Sequence, residues 1–304
     1  MFWRSIYRYF YGVNKGVVIF EVPLTGLMED EVIKIVSSRA VDYYFEPVNA
    51  VIEPGQGLIP ELYGYQLDIE ATVQKVMEAL PGERVEPVIR EWRPLVTRDH
   101  YPEKPIYRGN PLKKQVGLQI NVAWGEEYLN AMMEVLKRNN AGATFFLVGK
   151  WMEKNERLSK DIWLNGFELE SHGYRDDVVY TELSPEEMVE DILKMKKIIS
   201  AITGKEVKYF APHKGEFDDI TLEIVSRQGL RTIMWSLDTV DWQKPGVETM
   251  VNKIKEKVQA GDIILMHPTP DTCSFLEKVL PFLKEKELQP VGVAELLNPN
   301  ILIR

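Results

Sequence analysis

Three of the chain's four histidines, His172, His213 and His267, come just after short apolar runs that read as strands, at 167–171, 207–211 and 263–266. Asn121 follows a fourth such run, 116–120. Asp238 follows a fifth, 232–237, with Asp241 and Trp242 just beyond it. Imidazole beside carboxylate is the material of general acid–base catalysis and of divalent metal ligation. Where parallel strands alternate with helices, their C-terminal ends gather on one face, and active sites are built there. The spacing therefore predicts that His172, Asp176, His213, Asp241 and His267 share one face. The competing structural reading makes Asp241 and His267 a hydrogen-bonded pair that only ties two strand ends together. Trp124 and Trp242 fall on the same rim, where indole rings stack on sugars. Trp235, inside its run, reads as core, and Cys273 as a packed thiol.

The elements that must position these groups follow from periodicity. Strands are predicted at 116–120, 143–148, 167–170, 207–211, 231–237, 262–266 and 289–292, with helices between most of them. Leu129, Met132, Met133 and Leu136 share one helix face. Ser184-Pro-Glu-Glu187 is a capping box with proline at the first helical position. Met188, Ile192, Met195 and Ile199 follow it, and Gly204 stops that helix. Seven strands alternating with helices predict an α/β fold, a distorted (β/α) barrel of about seven parallel strands. A doubly wound open sheet is the alternative. Before it lies a small α+β domain: a strand at 16–22, helices at 29–39 and 68–80, a hairpin of 48–52 with 57–60, and a strand at 85–89. The proline-rich 99–115 reads as a linker. The domains are then 1–15, an aromatic and basic segment; 16–98, the α+β module; and 116–304, the barrel.

The stretches Ala143-Thr-Phe-Phe-Leu-Val-Gly149, Phe167-Glu-Leu-Glu-Ser-His172, Asp238-Thr-Val-Asp-Trp242 and Gly261-Asp-Ile-Ile-Leu-Met-His267 occur in the order and spacing of a known pattern. From 116 to about 297 the chain resembles the polysaccharide deacetylases, the NodB-homology domain of carbohydrate esterase family 4. The resemblance implies a distorted β/α barrel and removal of acetyl groups from chitin-like sugars or peptidoglycan. It also implies a divalent metal such as zinc, held by one Asp and two His, a second Asp as base and a late His as acid.

This sequence departs from that pattern where the chemistry is densest. The family's Thr-Phe-Asp-Asp-Gly aligns with Gln119-Ile-Asn-Val-Ala123, followed by Trp124-Gly125. The base position is Asn121, an amide that takes no proton near neutral pH. The metal-ligand Asp aligns with Val122. In His172-Gly-Tyr-Arg-Asp176 the second histidine is Asp176. In Ala211-Pro-His-Lys-Gly215 the Arg that orients the base is Ala211. Asp241, Trp242 and His267 match. The metal candidates are thus His172 and Asp176, with His213, Glu126 or Glu127 as a third ligand, and the expected zinc site is weak or lost. The catalytic candidates are His267, Asp241 and the substituted base position Asn121. Trp124, Trp242 and His213 are candidates for substrate binding.

The Asn-Val-Ala-Trp-Gly variant resembles a sporulation-associated branch of the family. Val17-Val-Ile-Phe-Glu-Val-Pro-Leu-Thr-Gly-Leu-Met-Glu-Asp-Glu31, Pro47-Val-Asn-Ala-Val-Ile52 and Gly64-Tyr-Gln-Leu-Asp-Ile-Glu-Ala-Thr-Val73 resemble a peptidoglycan-binding module. Both halves imply a cell-envelope protein outside the cytoplasm, with peptidoglycan or chitin-like oligosaccharide as partner. Lys plus Arg number 37 against 46 Asp plus Glu, a net charge of −9, which disfavours duplex nucleic acid as a partner. A single cysteine forbids an intrachain disulfide. No 18-residue apolar window exists to span a bilayer. Phe2, Trp3, Arg4, Tyr7, Arg8, Tyr9, Phe10 and Tyr11 mix rings with cations, as segments at a membrane surface do. They read first as a short helix or strand packed on the body, and otherwise as the start of a chain cut just after a membrane anchor. Two functions stand side by side: a hydrolase of acetamide bonds with altered ligands, and a non-catalytic glycan-binding scaffold of spore or wall assembly.

Overall fold

A computed structural model describes residues 12–55 and 57–300. The aromatic and basic stretch at 1–11, with its expected membrane proximity, lies outside the described residues. β1 (Val18–Ile19) and β2 (Val22–Pro23) pair antiparallel. The single strand expected over 16–22 is broken because Phe20 and Glu21 both take left-handed backbone, at φ 50 and 62°, and turn the chain back. α1 (Glu29–Ser38) follows, buried through Val32 and Val36. β3 (Val51–Glu53) and β4 (Gly57–Ile59) form an antiparallel hairpin. β5 (Gly64–Leu67) pairs with β6 (Ile89–Trp92), and α2 (Ile69–Glu78) lies between them in sequence. The Asp68 carboxylate caps α2 by accepting the Ala71 N–H at 3.1 Å.

These residues gather in two units. One holds 12–49 and 62–95, with Ile19, Leu24, Val32, Val36, Val73, Val76 and Val85 at its core. The other holds 50–61 and 96–299. Its elements are β7 (Gln115–Val122), α3 (Glu126–Arg138), β8 (Thr144–Leu147), α4 (Gly149–Lys154), α5 (Glu156–Leu164), β9 (Glu168–Ser171), α6 (Pro185–Thr203), β10 (Tyr209–Phe210), α7 (Asp219–Arg227), β11 (Arg231–Thr232), β12 (Leu237–Asp238), α8 (Val247–Lys257), β13 (Ile263–Met266), α9 (Thr272–Glu285), β14 (Gln289–Val291) and α10 (Val293–Leu296).

Strand order in this unit is β11-β10-β9-β8-β7-β13-β12, with β14 also on β7, and every pairing is parallel. The run expected as one strand over 231–237 is cut in two. Its start, β11, pairs with β10, and its end, β12, pairs with β13. One bent segment therefore supplies both margins of the sheet, which curves as an open, distorted half-barrel. Trp235, expected inside that strand, sits in the break, partly buried against an inner cluster.

The period of two along β7 sorts its side chains. Val116, Leu118, Ile120 and Val122 face the helices and are fully buried in the main core. Gly117, Gln119 and Asn121 face the barrel interior. Each fully buried aliphatic contributes roughly 1.5–3 kcal/mol, so this alternation fixes the register of the central strand. α6 opens on the predicted capping box: Ser184 Oγ accepts the Glu187 N–H at 3.3 Å, and the Glu187 carboxylate accepts the Ser184 N–H at 2.8 Å. At the N-terminal end of the strands, the Glu168 carboxylate accepts the N–H groups of Ala294 and Glu295 at 2.8 and 3.0 Å. That seats α10 as a floor and leaves the strand C-termini to shape the opposite end.

Candidate functional site

A cleft of about 200 Å³ opens at the C-terminal end of the barrel, lined by Asn121, Ala123, Trp124, His172, Asp176, His213 and His267. His172 follows β9 and is 6% exposed. Its Nδ1 lies 2.7 Å from the Ala211 carbonyl oxygen. A carbonyl only accepts, so Nδ1 carries the proton, and in the neutral ring Nε2 keeps the lone pair. Burial holds this imidazole well below its ordinary pKa, and the neighbouring His213 pushes the same way. His213 lies 4.2 Å from it, ring centre to ring centre, and burial lowers its pKa as well. The Nε2 of His213 is buried without a hydrogen-bond partner.

The loop from His172 to Asp176 is held from behind by a residue the sequence reading missed. Asp191, 6% exposed on α6, accepts the N–H groups of Tyr174 and Arg175 at 2.8 and 3.3 Å and also the Tyr180 hydroxyl. A signal was available: Asp191 is an acid within the apolar stripe Met188, Ile192, Met195 and Ile199. Asp176 itself is exposed at the cleft edge.

On the other side, Asp241 is 1% exposed behind His267. Its Oδ1 lies 2.8 Å from His267 Nδ1, and its Oδ2 accepts the His267 backbone N–H at 2.6 Å. Thr272 Oγ1 sits 3.3 Å from the same Oδ2. The carboxylate thus fixes ring and backbone together and turns His267 Nε2 away from itself. Trp124, 45% exposed, lies nearly parallel to the His267 ring, at 9° and 6.1 Å. Gly125 permits this approach. Its φ is +80°, and a Cβ there would come within 2.2 Å of the Pro268 carbonyl oxygen. Trp242 is 55% exposed on the turn after β12 and is not among the residues lining the cleft.

At the floor of the cleft, Asn121 is 4% exposed, and its Oδ1 accepts from Gln119 Nε2 at 3.1 Å. Val122, one residue on, points the other way into the helix-facing core. The donor set can be tested against a divalent metal on these positions. Val122 offers nothing, and among the described residues no three His, Cys, Asp or Glu side chains gather as ligands. A catalytic zinc needs about three protein ligands, so the residues present do not fit such a site, and no step through a metal is derived.

Residues 108–233 match the family model for polysaccharide deacetylase. The protein YlxY of Bacillus subtilis is 33% identical over 266 residues, covering 88% of this chain and 83% of that one. A peptidoglycan-N-acetylglucosamine deacetylase of Bacillus cereus is 33% identical over 178 residues, covering 56% of this chain and 82% of its own. Among solved structures, wild-type BA3943 of Bacillus anthracis, described as a CE4 family pseudoenzyme, matches with a TM-score of 0.75 and 34% identity, over 89% of this chain and 96% of that one. A BA3943 mutant described as having restored enzymatic activity matches with the same TM-score and 33% identity, over 89% and 99%.

Proposed function

The chain belongs to the polysaccharide deacetylase family, carbohydrate esterase family 4, and on that premise we propose that its barrel cleft binds N-acetylated cell-wall glycan with deacetylation reduced or absent. One observation carries this reading. The strand that should present a base and a metal ligand presents the amide Asn121, while Val122 is buried in the core. The partner half, His267 with Asp241, is intact. In a family-type reaction a carboxylate takes the proton of a metal-activated water. Asn121 cannot take it. The wall of Trp124 beside His267 still offers a flat face for a sugar ring. The glycan named for the B. cereus relative and the resemblance of 16–98 to a peptidoglycan-binding module support a cell-envelope partner outside the cytoplasm. A role in spore-wall assembly rests on the Asn-Val-Ala-Trp-Gly variant and is the finer part of this proposal.

The test is acetate release from acetylated chito-oligosaccharide or peptidoglycan with zinc or cobalt present, run beside co-sedimentation with peptidoglycan. The parent protein is expected to pellet with the wall and to release acetate far below about 1 per second, the low end of ordinary turnover. Turnover at or above that rate rejects the decayed site. Asn121→Asp, Val122→Asp and Asp176→His together rebuild the family pattern. Val122 packs fully in the core, so Asn121→Asp alone is measured too, as the variant that leaves the core untouched.

A further inference from the structure

The amide of Asn121 has a fixed sense. Gln119, fully buried, donates Nε2–H to Asn121 Oδ1 at 3.1 Å. Turning Asn121 over would set two N–H₂ groups face to face at that distance. Turning both amides would place the Gln119 N–H₂ where its Oε1 now lies unpartnered. A buried orphan N–H group is rarer than an orphan carbonyl, which is the arrangement found here. Gln119 therefore occupies the acceptor of Asn121, and among the described residues no protein acceptor takes the Nδ2 protons. Asn121 is more than nine-tenths buried and lines the cleft, so these protons are left for a ligand.

Across the same cleft His172 has the opposite character. Its Nδ1–H is committed to the Ala211 carbonyl, which leaves Nε2 as a lone-pair acceptor. The cleft offers one oriented donor and one oriented acceptor, each fixed from behind by a partner that does not face the ligand.

We propose that Asn121 and His172 read an intact secondary acetamide, with Asn121 Nδ2–H donating to its carbonyl oxygen and its N–H donating to His172 Nε2, and that Gln119 is the positioning residue that makes this possible. The inference rests on the glycan reading above and deepens it. A position that carries the base in the family pattern here serves as a reader of the acyl group. Discrimination comes from one hydrogen-bonded amide against a hydroxyl in the same place.

The experiment compares two neutral tetrasaccharides by calorimetry with chelator present: chitotetraose, and cellotetraose, which carries hydroxyls in place of the acetamides. The parent is expected to prefer chitotetraose by roughly tenfold, the worth of about one good hydrogen bond. Asn121→Asp, isosteric but acceptor-only, should remove that preference. Gln119→Leu should weaken that preference several-fold, because Asn121 can then turn. Should Gln119→Leu fail to fold, the side-chain N–H₂ cross-peak of Asn121 carries the test in the parent protein. That peak is assigned by its loss in Asn121→Asp. It should shift on adding chitotetraose, or acetate as a bare acyl-oxygen probe, and stay still with methylammonium. If neither tetrasaccharide binds but acetate moves the peak, the oriented donor stands and the glycan reading falls. If chitotetraose binds and the peak does not move, or Asn121→Asp keeps the preference, the inference is overturned.

Discussion

The two sides of the cleft are built on different terms. On the His267 side both carboxylate oxygens of Asp241 are engaged: they meet the ring and backbone of His267 and lie beside the Thr272 hydroxyl. On the Asn121–His172 side, buried polar atoms stand without partners, Nε2 of His213 and Oε1 of Gln119. Unpartnered buried groups each cost about 1–3 kcal/mol and persist where a ligand uses them or where selection on the old chemistry has lapsed. A site that had decayed throughout would have lost the dyad as well. The contrast therefore places the departures from the family pattern in the half where that pattern has its base and metal ligands, and leaves the Asp241–His267 pair intact.

The largest effect should come from breaking the satisfied side. Asp241→Ala leaves the His267 N–H and ring facing an empty buried space, and a loss of about 3 kcal/mol is expected by urea unfolding. His172→Ala, on the other side, forfeits one hydrogen bond to Ala211 and some packing, and should cost about half as much. Equal losses would erase the contrast. Next in size is Gly125→Ala. Its Cβ would collide with the Pro268 carbonyl at a left-handed φ, so a loss of about 2 kcal/mol is expected. Trp124 fluorescence should change with it as the ring leaves His267. Unchanged emission would mean that Trp124 is placed by something other than this glycine.

Much of this arrangement was legible in the residues. The alternation after 116 predicted the barrel, and the strand-end rule placed His172, His213 and His267 toward one end because a parallel sheet leaves little choice. The capping box at Ser184 is a local signal and needs no tertiary knowledge. What was hidden is non-local. The break between β11 and β12 exists because one segment pairs with two strands far apart in sequence. The turn at Phe20 and Glu21 carries no Gly, Asn or Asp to announce it. Gln119 looked like an ordinary strand residue, and its role needs both the inward face of β7 and the position of Asn121. Asp191 was visible as an acid in an apolar stripe, yet its target, the Tyr174 and Arg175 amides, lies on another element.

Acidity sharpens the comparison further. Burial lowers the pKa of His172 and of His213. An unfolded histidine titrates near 6.5, so below that pH the unfolded chain binds protons that the folded one refuses. Stability is full above about 6.5 and should fall as pH drops through it, by up to about 1.4 kcal/mol per unit for each ring. Glu170, inside the barrel, acts in the opposite sense. Burial pushes its carboxyl up to about 8 against the N–H groups of Tyr209 and Lys208. Its contribution is full below the ordinary carboxylate range and is lost as pH rises toward 8. Between about 6.5 and 8 Glu170 should dominate, and stability should decline with pH. Glu170→Gln should flatten that upper slope and His172→Gln the lower one, in urea titrations at a series of pH values. A profile that neither variant changes would mean that these groups titrate alike in the folded and unfolded chain.

The smallest expected effect tests whether the intact half also stores strain. Val240, next to Asp241, sits at φ 56° and ψ 29°, a region that β-branched residues rarely enter. The Asp238 carboxylate holds it there by accepting its N–H at 2.8 Å. Such backbone costs about 1–3 kcal/mol, while glycine adds back about 0.5–1 through the freedom it gains on unfolding. Val240 is also half-buried, and with its lost packing set against the relief, Val240→Gly should raise stability by no more than about 1 kcal/mol. Val240→Asn, at home in left-handed backbone without that entropy, should raise it slightly more. Glycan binding should be unchanged in Val240→Asn if Asp241 and Thr272 alone hold His267. A loss of stability in both variants would show that the valine side chain packs usefully enough to outweigh the strain. A loss of binding with stability gained would show that the strained turn itself aims His267. The difference between the two sides of the cleft would then lie in backbone geometry as well as in hydrogen bonding.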